Sequence, residues 1–142
     1  MFRIGALAIA IGLAAANGAY AETHEVHMLN RTEAGPMMFE PAFLQVAPGD
    51  TVRFVPTDRG HNAETIDGMI PAAAEPFSGR INEEIEVTLN EEGVYGVRCT
   101  PHYAMGMVMT IAVGDAEAPD DFLEGRIPPR AADRFREQLD QS

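Results

Sequence analysis

The apolar residues of this chain recur with a period of two, in short runs cut off by glycine and proline. His24 to Asn30 puts Val26 and Met28 on one face, and Thr51 to Val55 puts Val52 and Phe54 on one side. Ile85, Val87 and Leu89 alternate with Glu84, Glu86 and Thr88. Such alternation marks a half-buried strand, because successive strand side chains point to opposite faces. Phe43 to Ala47 stops at Pro48-Gly49-Asp50, Val94 to Cys99 follows a turn at Glu92-Gly93, and Met107 to Val113 ends at Gly114-Asp115. These are turn-forming pairs. About seven short strands with such punctuation indicate an all-β domain, an antiparallel sandwich or barrel. Asp67 to Asn82 carries Gly68, Pro71, Pro76 and Gly79 and reads as a long loop with room for one helical turn.

The two ends read differently. Met1-Phe2-Arg3 is positively charged, Ile4 to Ala16 is 13 apolar and small residues, and Ala19-Tyr20-Ala21 is a small-x-small cleavage site. That is the layout of a secretory signal peptide over 1–21, with a mature chain from Glu22. Thirteen residues fall short of the roughly 20 that span a bilayer, and no cysteine follows the cleavage site to carry a lipid. The β domain then covers 22–115, and 116–142 form a C-terminal extension packed on it. Ala118 to Glu124 and Pro129 to Gln141 read as two helices. The second has Ala131, Phe135 and Leu139 at i, i+4 and i+8.

Charge narrows the partners. The chain has ten arginines, no lysine and 22 carboxylates, for a net charge of −12, or −13 once Arg3 leaves with the leader. An acidic surface of this kind argues against nucleic acid and anionic membranes as partners. The carboxylates are scattered without the spacing of a calcium loop, and read as a solvated face. Cys99 is the one cysteine. In an exported chain it cannot form an internal disulfide, so it needs burial, a partner or a metal.

The chemistry concentrates in Cys99-Thr100-Pro101-His102-Tyr103-Ala104-Met105-Gly106-Met107, between one predicted strand and the last. A thiol, an imidazole and a thioether on one tight loop can point to a common centre. His61, after the turn-like Asp58-Arg59-Gly60, is the best fourth donor. Two His, one Cys and a weak axial Met are the donor set of a one-electron copper site. Met107 is preferred to Met105 because it fits a His-x4-Met spacing and opens the last strand. Asn62, beside His61, can tie the two ligand loops together through its amide, and Pro101 stiffens the loop. His24 and His27 lie on a strand well before the site and read as structural. Met28, Met38, Met69 and Met109 read as core or edge packing.

At these residues the sequence resembles the pseudoazurins, small cupredoxins of bacterial periplasms. The likeness runs through Glu25-Val26-His27-Met28-Leu29-Asn30, Phe39-Glu40-Pro41-Ala42, Val46 to Val52, Pro56-Thr57-Asp58 and Gly60-His61-Asn62. It continues through Gly68-Met69-Ile70-Pro71, Gly93 to Val97 and the Cys99 to Met107 loop, and covers nearly the whole mature chain. The resemblance implies a cupredoxin-like Greek-key β-sandwich with two C-terminal helices. It implies one type 1 copper per chain, bound by His61, Cys99, His102 and Met107, with Met37 near the His102 ring. It further implies a periplasmic electron carrier that donates to reductases, copper nitrite reductase above all. The chain is expected to be a monomer, and an alternative reading keeps electron transfer but changes the partner to a cytochrome or an amine dehydrogenase.

An apolar rim of Pro101, Tyr103, Ala104, Met105 and Met37 would dock such a partner through a small transient interface. Pseudoazurins usually ring this patch with lysine, whereas this chain offers only Arg31, Arg59, Arg80 and Arg98. Two other classes compete. A copper-trafficking protein would cluster its methionines, and these are dispersed. A zinc hydrolase on Cys99, His61 and His102 lacks a general base beside it. Four protein donors also leave no open position for substrate, unlike a catalytic metal site.

Overall fold

The computed structural model describes residues 20–141. All but the last two residues of the expected leader lie outside the described residues. Eight strands follow in order: β1 (Thr23–Thr32), β2 (Gly35–Glu40), β3 (Phe43–Val46), β4 (Asp50–Val55), β5 (Glu64–Thr65), β6 (Ile85–Leu89), β7 (Gly93–Arg98) and β8 (Val108–Val113). One helix, α1 (Pro129–Leu139), closes the chain. Among the described residues, no helix is long and apolar enough to cross a membrane.

The strands form two four-stranded sheets, β2-β1-β4-β6 and β3-β8-β7-β5. The pairing is mixed: β1 runs parallel to β4, with Val26 opposite Phe54, and β3 runs parallel to β8, with Leu44 opposite Ile111. The other pairs are antiparallel. Alternation fixes which face of a strand is buried but not the direction of its neighbour. The expectation of a purely antiparallel sandwich is therefore corrected at these two crossovers.

The predicted inward residues meet between the sheets. Val26, Met28, Val52, Phe54, Val97, Met109 and Ile111 are buried in one cluster. Phe54 packs against Phe39 at 6.2 Å edge-on and against Phe77 at 5.6 Å. Phe39 and Phe54, both fully buried, each contribute roughly 1.5–3 kcal/mol through burial.

β8 is buried along its whole length, on both faces. Its second face meets the C-terminal extension, where Val108 joins Ile66, Met69, Val94, Phe122, Ala131 and Phe135 in a second cluster. Ala131 and Phe135 of the predicted stripe are fully buried. Leu139 is half-buried and packs against the same cluster, and Gln138 adds a buried polar contact: its amide donates to the Val108 carbonyl at 2.9 Å and accepts from the Thr110 hydroxyl at 2.9 Å. The expected helix over 118–124 is instead two successive turns, closed by Phe122 N–H to Pro119 O and Glu124 N–H to Asp121 O. Pro119 and Gly125 bound a stretch too short to sustain a helix of its own.

Candidate metal centre

Between β7 and β8, Thr100–Met105 wind into a 3-10 turn with proline in its first positions, where the fixed φ of Pro101 suits a helix start. Gly106 ends the turn at φ 88. A side chain there would be strained, and its Cβ would also come within 3.2 Å of the Arg130 backbone. The base of the loop is pinned by Cys99 N–H to Met107 O at 2.9 Å and Met107 N–H to His102 O at 3.1 Å. Cys99, His102 and Met107 thus share one closed turn, and Cys99 and Met107 are fully buried.

His61 arrives from the segment before β5. The long loop over 66–82 returns to hold it: Asn82 N–H donates to the His61 carbonyl at 2.9 Å, and Gly60 N–H donates to Asn82 Oδ1 at 2.7 Å. The imidazole is fully buried. Its Nε2 lies 2.8 Å from Asn30 Oδ1. That oxygen only accepts, so Nε2 carries the proton and Nδ1 turns a bare lone pair inward. Asn30 is itself held, its N–H donating to Asp58 Oδ2 at 2.7 Å.

Three donor atoms then face one another. His61 Nδ1 is 3.2 Å from His102 Nδ1, and Cys99 Sγ is 3.7 Å from the first and 3.5 Å from the second. A point equidistant from all three lies about 2 Å from each, the length of a metal–imidazole bond. With a lone pair on His61 Nδ1, a cation at that point would be within bonding reach of all three donors at once. Two imidazoles, a thiolate and the buried Met107 thioether form the His-Cys-His-Met donor set that copper takes.

Electrostatics favours neutral donors before metal binds. Burial, reinforced by the nearby His102, lowers the His61 pKa. Burial raises the Cys99 thiol, against which the backbone N–H groups of Asn62 and His102 favour the thiolate. Metal binding must therefore release the thiol proton.

Asn62 joins the two ligand segments. Its Nδ2 donates to Thr100 Oγ1 at 3.0 Å and Gly79 O at 3.1 Å, and its Oδ1 accepts from Thr100 N–H at 2.7 Å. Met37 is half-buried at φ 53, its carbonyl accepting from Arg134 at 2.7 Å. Pro101, Ala104 and Met105 are exposed, Met105 to 38%. Tyr103 departs from the expected rim. It is half-buried against the second core cluster, and its buried hydroxyl has no hydrogen-bond partner among the described residues. Arg98 lies over its ring at 5.1 Å and is bound to Glu64 through Nε at 2.8 Å. Arg98 is thus a neutralised arginine, while Arg31, Arg59 and Arg80 are exposed.

His24 and His27 have partners away from this centre: Asp50 Oδ2 at 2.9 Å and Thr57 Oγ1 at 2.7 Å. Glu22, His24 and Asp50 do bring three donor atoms within 4.8 Å. The Asp50 carboxylate there is already engaged by His24 and by the N–H groups of Glu22 and Ala47. Sequence reasoning missed Asn30, Asn82 and Arg134. Asn30 carried one weak sign, a polar amide directly after the apolar Met28-Leu29 pair.

Comparisons with known proteins agree with this geometry. The model of the copper-binding plastocyanin/azurin family matches residues 26–114. Pseudoazurin from Paracoccus pantotrophus is 48% identical over 137 residues, 96% of this chain and 94% of that protein. The crystal structure of pseudoazurin from Methylobacterium extorquens AM1 superposes with a TM-score of 0.78 at 38% identity, covering 84% of this chain and 98% of that one. Pseudoazurin from Hyphomicrobium denitrificans gives a TM-score of 0.77 at 36% identity, over 84% and 98% of the two chains. Two sheets, a Cys-to-Met ligand loop and a covering C-terminal helix thus come together in a cupredoxin electron carrier, and the chain belongs to the pseudoazurins of the plastocyanin/azurin family of copper-binding proteins.

Proposed function

We propose that this chain is a periplasmic, monomeric one-electron carrier, with copper held by His61, Cys99, His102 and Met107, and that it supplies electrons to a reductase such as a copper nitrite reductase. The observation that carries the reading is the 3.2, 3.5 and 3.7 Å triangle of His61, His102 and Cys99 donor atoms, at the base of a loop that ends on the buried Met107. Bound copper would supply a reversible Cu(II)/Cu(I) couple. The residues supply the rest. Asn62, Asn30 and the pinned loop hold the donors in place before metal arrives, so little has to move between oxidation states. Four protein donors leave no place for substrate, which supports a carrier and not an enzyme.

His102 turns Nδ1 inward and is half-buried, so its other ring edge is the exit to the surface. Pro101, Ala104 and Met105, on the same turn as His102, are exposed apolar residues suited to brief contact. The methionines at 28, 38, 69 and 109 are buried in the cores. They offer no thioether cluster for metal hand-over, which weighs against a trafficking role. Resemblance to pseudoazurins supports both the periplasmic location and the reductase partner.

The test is the visible and EPR spectrum of Cu(II)-loaded protein and of Cys99→Ser. An intense thiolate-to-copper band with narrow hyperfine splitting, lost in the variant, is the expected result. A pale protein with an ordinary Cu(II) spectrum would remove the thiolate from the copper shell and overturn the reading.

A further inference from the structure

Arg134 lies on α1, far in sequence from the donors, yet its guanidinium reaches three backbone carbonyls around the centre. Nη1 donates to Gly106 O at 2.8 Å and to Met37 O at 2.7 Å, and Nη2 donates to Pro36 O at 2.7 Å. Gly106 directly precedes Met107, and Met37 belongs to β2 of the opposite sheet. One planar fork thus links the ligand loop, the first sheet and the C-terminal helix. The guanidinium is partly desolvated, with Glu137 as a nearby negative charge and Arg130 as a nearby positive one. A cation placed there without acceptors would be costly, and the three carbonyls offset that cost.

Two backbone features converge on the same fork. Met37 holds φ 53, a conformation a side chain rarely adopts and one that persists only where surroundings enforce it. Gly106 holds φ 88 with the Arg130 backbone 3.2 Å from where a Cβ would lie. The loop, β2 and the first turns of α1 therefore fix one another, with Arg134 as the common bond.

We propose that Arg134 is a positioning residue for the metal centre: by clamping Gly106 to β2 it sets the placement of Met107 against His61, Cys99 and His102, and with it the balance between Cu(II) and Cu(I). This rests on the copper reading. The weak axial ligand is the part of such a site through which potential is tuned, so a small loop displacement is felt in the couple before it is felt in ligation.

Arg134→Met keeps the aliphatic stem and removes the donors. Arg134→Lys keeps the charge but not the planar fork. Val52→Ala, in the main core on β4, serves as a control for lost stability alone. Copper-loaded Arg134→Met should shift the Cu(I):Cu(II) ratio at fixed poise by about threefold or more, ~30 mV for a one-electron couple. The thiolate-to-copper band should persist, and Arg134→Lys should lie between variant and wild type. In copper-free protein, amide exchange at Gly106, Met107 and Val108 should quicken in Arg134→Met while β4 and β6 stay protected. An unchanged ratio and exchange that rises only globally, as in Val52→Ala, would overturn the proposal and leave Arg134 a structural residue. Should wild type lack the thiolate band, the copper reading fails and the redox half of the proposal with it. The exchange data still decide whether Arg134 holds the loop. If Arg134→Met does not fold, Arg134→Lys carries both measurements.

Discussion

Asn62 and Thr100 bond each other twice, the Asn62 amide donating to the Thr100 hydroxyl at 3.0 Å and the Thr100 N–H donating back to the Asn62 oxygen at 2.7 Å. They are 38 residues apart and flank ligands, His61 on one side and Cys99 on the other. Asn62→Ala would leave the Thr100 N–H and the Gly79 carbonyl without this partner. The expected loss is about 1–3 kcal/mol, the cost of stranded buried polar groups, read by urea unfolding of copper-free protein. A variant as stable as wild type would show that the two loops are held elsewhere.

The Asn30 oxygen fixes which His61 nitrogen carries the proton. Asn30→Ala should weaken copper binding by about 10- to 100-fold, the usual effect of losing the group that orients a ligand imidazole. Competition against a chelator of known affinity measures it. The thiolate-to-copper band should survive at saturating metal, because no donor is removed.

Asp50 carries the pH dependence. Hydrogen bonds from the Glu22 N–H, the His24 ring and the Ala47 N–H hold its pKa at about 2, below the ordinary 3.8. A depressed carboxylate stabilises the fold above its unfolded pKa and loses that contribution as pH falls through the folded one. Wild type should therefore exceed Asp50→Ala in stability at pH 7, with the gap closing between about pH 4 and pH 2. Urea midpoints at a series of pH values read the gap. A gap independent of pH would mean that the carboxylate charge plays no part.

Met105 stands exposed beside the His102 exit. Met105→Glu should slow electron transfer to an acceptor protein by about tenfold, the equivalent of 1.4 kcal/mol lost at the contact. The copper spectrum should not change. Stopped-flow rates at several ionic strengths would also test the exposed Arg31, Arg59 and Arg80. Rates that ignore salt would exclude electrostatic steering.

Much of the fold could be read from residues alone. Alternation located β1, β3, β4, β6, β7 and β8, since each has one apolar face or an unbroken apolar run. β2 was not legible, because Gly35-Pro36 opens it and Met37-Met38-Phe39 gives no alternation. β5 spans two residues and has no pattern to show. The site followed from donor chemistry and spacing in one nine-residue stretch and one upstream histidine. Its supports did not. Asn30, Asn82 and Arg134 act through backbone carbonyls, amides and one ring nitrogen, and such partners leave no trace in residue order. Tyr103 misled for a related reason. On an exposed loop an aromatic reads as rim, but the C-terminal extension covers it and takes its ring into the second core.

The position of β8 inside its sheet bears on when this protein can fold. β8 lies between β3 and β7, so β3 has no neighbour in its sheet until residues 108–113 exist. The same residues supply Met109, Ile111 and Val113 to the main core and Val108 to the second cluster, and they follow directly on Met107. A growing chain therefore cannot complete the second sheet early and keep it. Closure waits for a contact that joins residues 43–46 to 110–113, a long loop with a slow search. The sheet and the four-donor set are finished by the arrival of one segment, so a nascent chain that stops short of it can neither close its sandwich nor capture copper in this way.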